Sequence, residues 1–328
     1  MKKNIAVVGC GHWGKNLIRN FAELGALVAV CDAKEDLAKT YAKEYNVDDL
    51  SFTAILSDMT IEGVVVAVPA PLHASIAIEA MHAGKNVYVE KPLAMNIIDA
   101  EAMIASATEN DVQLMVGHLL QYHPVFVALR RMVESGELGS LNYIYSNRLS
   151  FGKVRSEEDV IWSFAPHDIS MILSLIGHEP ELVRTESSKI LQTDISDIAT
   201  VHMEFNSVLK AHVSVSWLHP FKEQKLVVIG ENAMSIFDDT KTWNQKLALY
   251  RHNIKSTAGL PKLEKAEVEY LEVPKSEPLR NECLHFLDVV NGDTEPLTDS
   301  REGLRVLKVL SASSLSENKN EAIRLETL

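Results

Sequence analysis

The sequence predicts an α/β protein of two domains: a doubly wound parallel sheet over 1–120, then an α+β domain with an open, largely antiparallel sheet over 121–328. Three observations carry this. Short, nearly continuous apolar runs alternate with helical stretches up to about residue 120, as in strands covered by helices on both faces. Strict two-residue alternation replaces them further on, the mark of antiparallel strands with one buried face. A chain of 328 residues also exceeds what one hydrophobic core usually organises.

In order along the chain, "NIAVVG" at 4–9 reads as a buried strand, followed by a helix from Gly14 to Leu24. "ALVAVCD" at 26–32, "EGVVVAVP" at 62–69, "KNVYVEKP" at 85–92 and "VQLMVG" at 112–117 complete the strand set. Between them, Ile76, Ala77, Ala80 and Met81 form one helical stripe with Gly84 as its stop, and Ile97, Ala100, Ile104 and Ala107 form another. Strand–helix–strand repetition with short loops gives a parallel sheet. Beyond residue 120, "HPVFVALRRMVESGELG" predicts one helix. "TVHMEF" directs Val201, Met203 and Phe205 to one side, and after a turn near Asn206 and Ser207 "AHVSVSW" repeats the pattern with Ala211, Val213, Val215 and Trp217. A helix over 300–317 closes the chain.

Composition narrows the function. The chain is 46% hydrophobic and 23% charged, ordinary for a globular protein, and its net charge of −13 leaves no surplus of cations for general nucleic-acid binding. A local basic pocket for one phosphorylated ligand stays compatible with that. The early apolar run Ile5 to Val8 is too short for a signal-peptide core or a membrane span, so the expected location is cytoplasmic. Cys10, Cys31 and Cys283 show no paired spacing and imply reduced thiols.

The segment "VVGCGHWGKNL" at 7–17 holds Gly9, Gly11 and Gly14 between a predicted strand and a predicted helix. That context turns G-x-G-x-x-G into a dinucleotide-binding, or Rossmann, fingerprint; outside it, the glycines would be only a flexible turn. Gly9 permits the tight turn, Gly11 the approach of backbone to pyrophosphate, and Gly14 close helix–strand packing, with the helix N-terminus facing the phosphates. Asp32 ends the second strand, 18 residues after Gly14, where a carboxylate accepts from ribose hydroxyls. A 2′-phosphate there would meet a like charge at about 4 Å, costing roughly 4 kcal/mol at an effective dielectric near 20, so NAD is expected rather than NADP. His12 and Trp13 in the loop, Pro69 and His73 after the third strand, and Glu90 and Lys91 after the fourth complete the candidate cofactor contacts.

"VYVEKPLAMN" at 87–96 puts Glu90, Lys91 and Pro92 at the carboxyl edge of the sheet, where ligands bind in open α/β folds; by itself the lysine could equally be a surface ammonium. Together, "GCGHWG", "VPAPLH" at 68–73, "VEKPLA" at 89–94, "HPVFVALRRMVESGELG" at 123–139 and "FLDVVNGDTEPLTDSREGLRVLKVL" at 286–310 resemble the glucose–fructose oxidoreductase, inositol dehydrogenase and rhizopine-catabolism family (Gfo/Idh/MocA) over essentially the whole chain. The resemblance implies that Lys91 lies beside the nicotinamide and is essential for catalysis, and that the protein forms a homodimer or homotetramer. Members commonly carry Asp-x-x-x-His facing the sugar. Here "WSFAPHDISMILSLIG" at 162–177 keeps His167 but has Ser163 in the aspartate position and lacks the glycine-rich lead-in.

"GHLLQYHP", "IYSNRLSFGKVR" and "WSFAPHDIS" are similar to a narrower branch, the bacterial nucleotide-sugar dehydrogenases that oxidise the 3-hydroxyl of UDP-N-acetylglucosamine to a ketone. The resemblance implies a UDP-sugar substrate and a downstream aminotransferase partner serving lipid A or other surface polysaccharide. Alternatives are the glucuronate form of the same sugar, a free sugar or inositol, and, in another class, a non-catalytic NAD-binding regulator, against which the presence of both Lys91 and His167 argues.

Alcohol oxidation needs the hydroxyl proton removed, and His167, of a residue type whose reference pKa is near neutrality, is the expected base, with Lys91 as orienting group and relay, or the two exchanged. Tyr122, Ser163 and Asp168 are further expected sugar contacts. Arg148 and Arg155 are expected on the diphosphate, or else in salt bridges, and Trp162 beside the sugar or in the core. No metal is expected, because His118, His123 and His167 form no i, i+4 pair and have no cysteine cluster; His123-Pro124 is expected to open a helix.

Overall fold

The apolar runs of the N-terminal third do form strands, alternating with helices. A computed structural model describes residues 4–152, 154–156, 158–257 and 260–328. In chain order these elements are β1 (Ile5–Val8), α1 (Gly14–Glu23), β2 (Leu27–Cys31), α2 (Glu35–Tyr45), β3 (Asp48–Asp49), α3 (Phe52–Ser57) and β4 (Gly63–Val66). Then come α4 (His73–His82), β5 (Asn86–Glu90), α5 (Ile97–Glu109) and β6 (Leu114–Gly117). The six strands run parallel in the order β3-β2-β1-β4-β5-β6, the doubly wound arrangement expected. Every residue of β1 and β4 is buried, which explains why their sequences are apolar without alternation.

Helix ends follow local chemistry. Asn96 caps α5 by accepting from the Asp99 amide at 2.9 Å while its own amide donates to the Asp99 carboxylate at 2.7 Å. Asn46 ends α2 in the left-handed region at φ 52°, a conformation its short polar side chain tolerates.

The expected division at 120/121 is corrected by the path of the chain. One compact unit comprises 1–122 with 277–307, the other 123–276 with 308–328. The returning helix Pro278–Val290 gives the reason: Leu279, Cys283, Phe286 and Leu287 form its buried stripe. Phe286 meets Phe21 of α1 edge-on at 6.3 Å and Tyr88 of β5 at 5.7 Å. The apolar stripe of 278–290 therefore completes the core of the first unit rather than that of the second.

The second unit contains α6 (Pro124–Glu134), β7 (Leu141–Phe151), α7 (Val160–Ile176), β8 (Leu182–Ser188), β9 (Ile198–Glu204), β10 (Lys210–Ser216), β11 (Leu218–Gly230) and β12 (Met234–Asp238). After these come β13 (Leu247–Tyr250), the hairpin β14 (Asn253–Thr257) and β15 (Leu260–Glu264), β16 (Val268–Tyr270) and β17 (Ile323–Arg324). Nine strands order as β16-β13-β12-β11-β7-β10-β9-β8-β17, antiparallel except for the β7–β10 pair. Alternation is kept as read: Val201, Met203, Val213 and Val215 are fully buried, whereas His202 faces out. α7 packs on β7, β9 and β10. Among the described residues no helix is long and apolar enough to cross a membrane.

Phe286→Ala is expected to cost about 3–5 kcal/mol, the usual price of an aromatic-sized cavity, read as a lowered urea midpoint in equilibrium unfolding.

Candidate active site

At the first turn the three glycines do separate jobs. Gly9 has φ +101°, and a Cβ there would lie 2.5 Å from the Ala67 carbonyl oxygen. A Cβ on Gly14 would lie 1.9 Å from the Gly9 carbonyl oxygen. Both positions exclude a side chain because backbone lies against backbone. Gly11 has no atom within 4 Å of its would-be Cβ and so leaves its side of the loop open to a ligand.

Asp32 secures this loop. One oxygen accepts from the Cys10 amide at 2.7 Å, the other from the Lys34 amide at 2.8 Å. A carboxylate has about four lone-pair sites, so acceptor capacity is left for ribose hydroxyls. Gly11, Asp32, Val68, Pro69, Leu72 and Ile76 line a cleft of about 850 Å³, with apolar walls toward α4. An open glycine, a helix N-terminus and a carboxylate at the end of β2 together fit an adenine dinucleotide. Burial and Asp32 push the Cys10 thiol up to about 12, which leaves it a packing group rather than a nucleophile.

At the end of β5, Glu90 gathers donors. The Trp13 indole donates to its Oε1 at 2.6 Å, the Tyr88 hydroxyl to the same atom at 3.0 Å, and the Lys91 amide to Oε2 at 3.3 Å. Burial nonetheless holds the Glu90 carboxyl above its ordinary range. Lys91, half-buried, follows at once. Trp13 and His12 are exposed on the loop, as a cofactor contact requires.

His73 departs from expectation. It is 1% exposed, with Nδ1 2.8 Å from the Pro92 carbonyl oxygen and Nε2 3.0 Å from that of Val68. Burial lowers its pKa despite these two acceptors, so a neutral ring donates to one of them. It braces the loop after β4 against the segment after Lys91.

In the second unit, α7 starts at Asp159, whose carboxylate accepts from the Trp162 amide at 2.9 Å. Ser163 and His167 stand one turn apart on the same helical face. Asp168 points elsewhere: it is buried, accepts from Ser146 at 2.5 Å, and holds Arg148 through Nε–Oδ2 at 2.5 Å and a second nitrogen at 3.3 Å. The expected substrate roles of Asp168 and Arg148 are thereby corrected to a buried ion pair joining α7 to β7, since each charge is the other's compensation. Arg155 is largely exposed and pairs with Glu158 at 2.6 Å. The Trp162 indole donates to Ser314 at 2.9 Å.

Tyr122 is also reassigned. It is buried in the first unit, with its hydroxyl 2.9 Å from the Thr298 hydroxyl. His118 pairs with buried Glu302 at 2.6 Å, and His123 caps α6 by accepting from the Val125 amide at 3.2 Å. The sequence reading missed Glu282, fully buried on the apolar stripe of the returning helix. Its signal was available: a glutamate three residues after Leu279 and four before Phe286 sits where only apolar residues are expected.

Comparison with known proteins bears on these features. Residues 3–118 match the oxidoreductase family model with an NAD-binding Rossmann fold, and residues 126–235 match the Gfo/Idh/MocA C-terminal domain. The chain belongs to the Gfo/Idh/MocA oxidoreductase family. It is 27% identical over 303 residues to UDP-N-acetylglucosamine 3-dehydrogenase of Acidithiobacillus ferrooxidans, covering 92% of this chain and 93% of that protein. A solved structure of that enzyme superposes with TM-score 0.85 at 26% identity, over 96% of this chain and 97% of the other. Inositol 2-dehydrogenase of Salmonella typhimurium is 26% identical over 230 residues, covering 66% and 67%. Membership makes the chain an oxidoreductase with NAD as cofactor.

Asp32→Asn is expected to raise the Kd for NAD and lower that for NADP, moving their ratio at least about tenfold, as removal of one like charge near the 2′-position requires; fluorescence titration with both cofactors reads it.

Proposed function

We propose that this protein oxidises the 3-hydroxyl of a UDP-N-acetyl-hexosamine, UDP-N-acetylglucosamine first among them, to the 3-keto sugar. The observation that supports it most is the likeness to UDP-N-acetylglucosamine 3-dehydrogenase, which runs through both family domains and over 92% of the chain. NAD, when bound, supplies the electron-pair acceptor.

The chain's own residues do the rest. In this reading His167 takes the hydroxyl proton, because an imidazole can accept a proton and pass it on. Lys91 donates a hydrogen bond to the substrate oxygen as negative charge grows there, the role suited to a half-buried ammonium at the sheet's carboxyl edge. Ser163, one turn from His167, replaces a carboxylate with a hydroxyl, so it orients the sugar without adding charge. Arg155, exposed on the surface, is the arginine this scheme places on the diphosphate. A downstream aminotransferase consumes the ketone, and self-association as a dimer or tetramer accompanies the reading; light scattering at micromolar concentration checks the latter.

UDP-N-acetylglucosamine with NAD is expected to give NADH absorbance, strengthened when an aminotransferase drains the ketone. Activity on myo-inositol with none on any UDP-sugar would reassign the substrate to the polyol class. Lys91→Ala is expected to lower turnover by about 10²–10⁴-fold while NAD still binds in a fluorescence titration; unchanged turnover would remove Lys91 from the chemistry.

A further inference from the structure

Glu282 is 0% exposed, and neither of its carboxyl oxygens has a partner in ordinary hydrogen-bond geometry. The polar group facing it is the hydroxyl of Tyr88, itself fully buried. Tyr88 spends its proton on Glu90 at 3.0 Å, so the phenolic oxygen is left as an acceptor toward Glu282. Two carboxyls sharing one buried hydroxyl disfavour each other's ionisation. The donors favour Glu90: besides the shared Tyr88 hydroxyl it has the Trp13 indole and the Lys91 amide, which Glu282 lacks.

We propose that Glu282 is a positioning residue: as a neutral acid it donates to the Tyr88 oxygen, aims the Tyr88 hydroxyl at Glu90, and so keeps Glu90 the anion beside Lys91. Burial pushes the Glu282 carboxyl well above its usual range, with Glu90 adding to the effect. The other titratable groups feeling its charge are Cys283, Tyr88 and Tyr122, all raised by burial and so neutral near pH 7. Around these stand Glu277 and Arg19 toward Cys283, and Glu302 toward Tyr122. The consequence for turnover rests on the proposed role of Lys91; the proton on Glu282 does not.

The test needs no substrate at first. A carboxyl whose folded pKa is raised gives stability that is full below its unfolded pKa, about 4.3, and is lost as pH rises toward the folded value. Glu282→Gln has no such proton to lose. Its Tm relative to wild type is therefore expected to climb by several degrees, in order of magnitude, between about pH 5 and pH 8. Infrared difference spectra of the wild type at pH 7 should hold a deuterium-sensitive carboxylic-acid carbonyl band that Glu282→Gln lacks. A Tm difference flat with pH, or a band that survives the substitution, overturns the proposal. For turnover, Glu282→Leu is expected to move one limb of the kcat pH profile by about one unit with KM for NAD unchanged, and Glu282→Gln to restore it. An unmoved limb in a folded Glu282→Leu removes the positioning role. Should no UDP-sugar turn over at all, the proposed substrate falls, while the band and the Tm series still decide the state of Glu282.

Discussion

The contact on which the first unit depends is backbone against backbone, where α1 leaves β1. The Gly9 carbonyl lies where a Gly14 side chain would be, and the Ala67 carbonyl where a Gly9 side chain would be. Interiors are close-packed and yield little, so the missing side chain of Gly14 lets α1 approach the end of β1, and that of Gly9 lets the loop approach the end of β4. Gly9 and Gly11, in the loop between β1 and α1, line the cleft. Asp32 then ties the loop to β2 through the Cys10 and Lys34 amides, so one carboxylate shapes the pocket and presents acceptors inside it.

Acidic residues around the candidate chemistry illustrate how surroundings decide a role. Asp32 sits at a cleft wall and keeps lone pairs for a ligand. Asp168, next in sequence to His167, is turned by the helical twist toward β7 and is neutralised by Arg148. Glu90 collects donors and can bear charge; Glu282, behind it, collects none. Sequence adjacency to a reacting residue says little about direction, because each step along a helix turns the side chain by about 100°. Ser163, one turn before His167, is a hydroxyl and not a carboxylate on that helical face.

The strands of the first unit were legible because full burial on both faces leaves an unbroken apolar run, and those of the second because one-sided burial leaves an alternation. The glycine loop and its acidic partner were legible because the backbone geometry tolerates few substitutes. β3 was not: it is only Asp48 and Asp49, held by pairing with β2 and without any apolar signature. Segment 160–176 drew attention for its histidine, yet its near-uniform burial hides the helical period, and Pro166 interrupts it further. His73, Tyr122, Arg148 and Asp168 carry chemistry-bearing side chains, and only tertiary structure reveals that their polar atoms are already engaged. The late return of 277–307 was invisible because an apolar stripe states that something must be covered, never what.

That return sets an order of events during synthesis. The nucleotide-holding half begins at the N-terminus, but Phe286, which closes its core against Phe21 and Tyr88, leaves the ribosome only after β7 through β16 have emerged. A nascent chain ending at residue 122 would show water the apolar wall that this ring later seals, so the core of the cofactor half stays open until 277–307 has been made, although most of that half is made first. Whatever guards that wall in the interval, the partner it awaits is the chain's own distal helix.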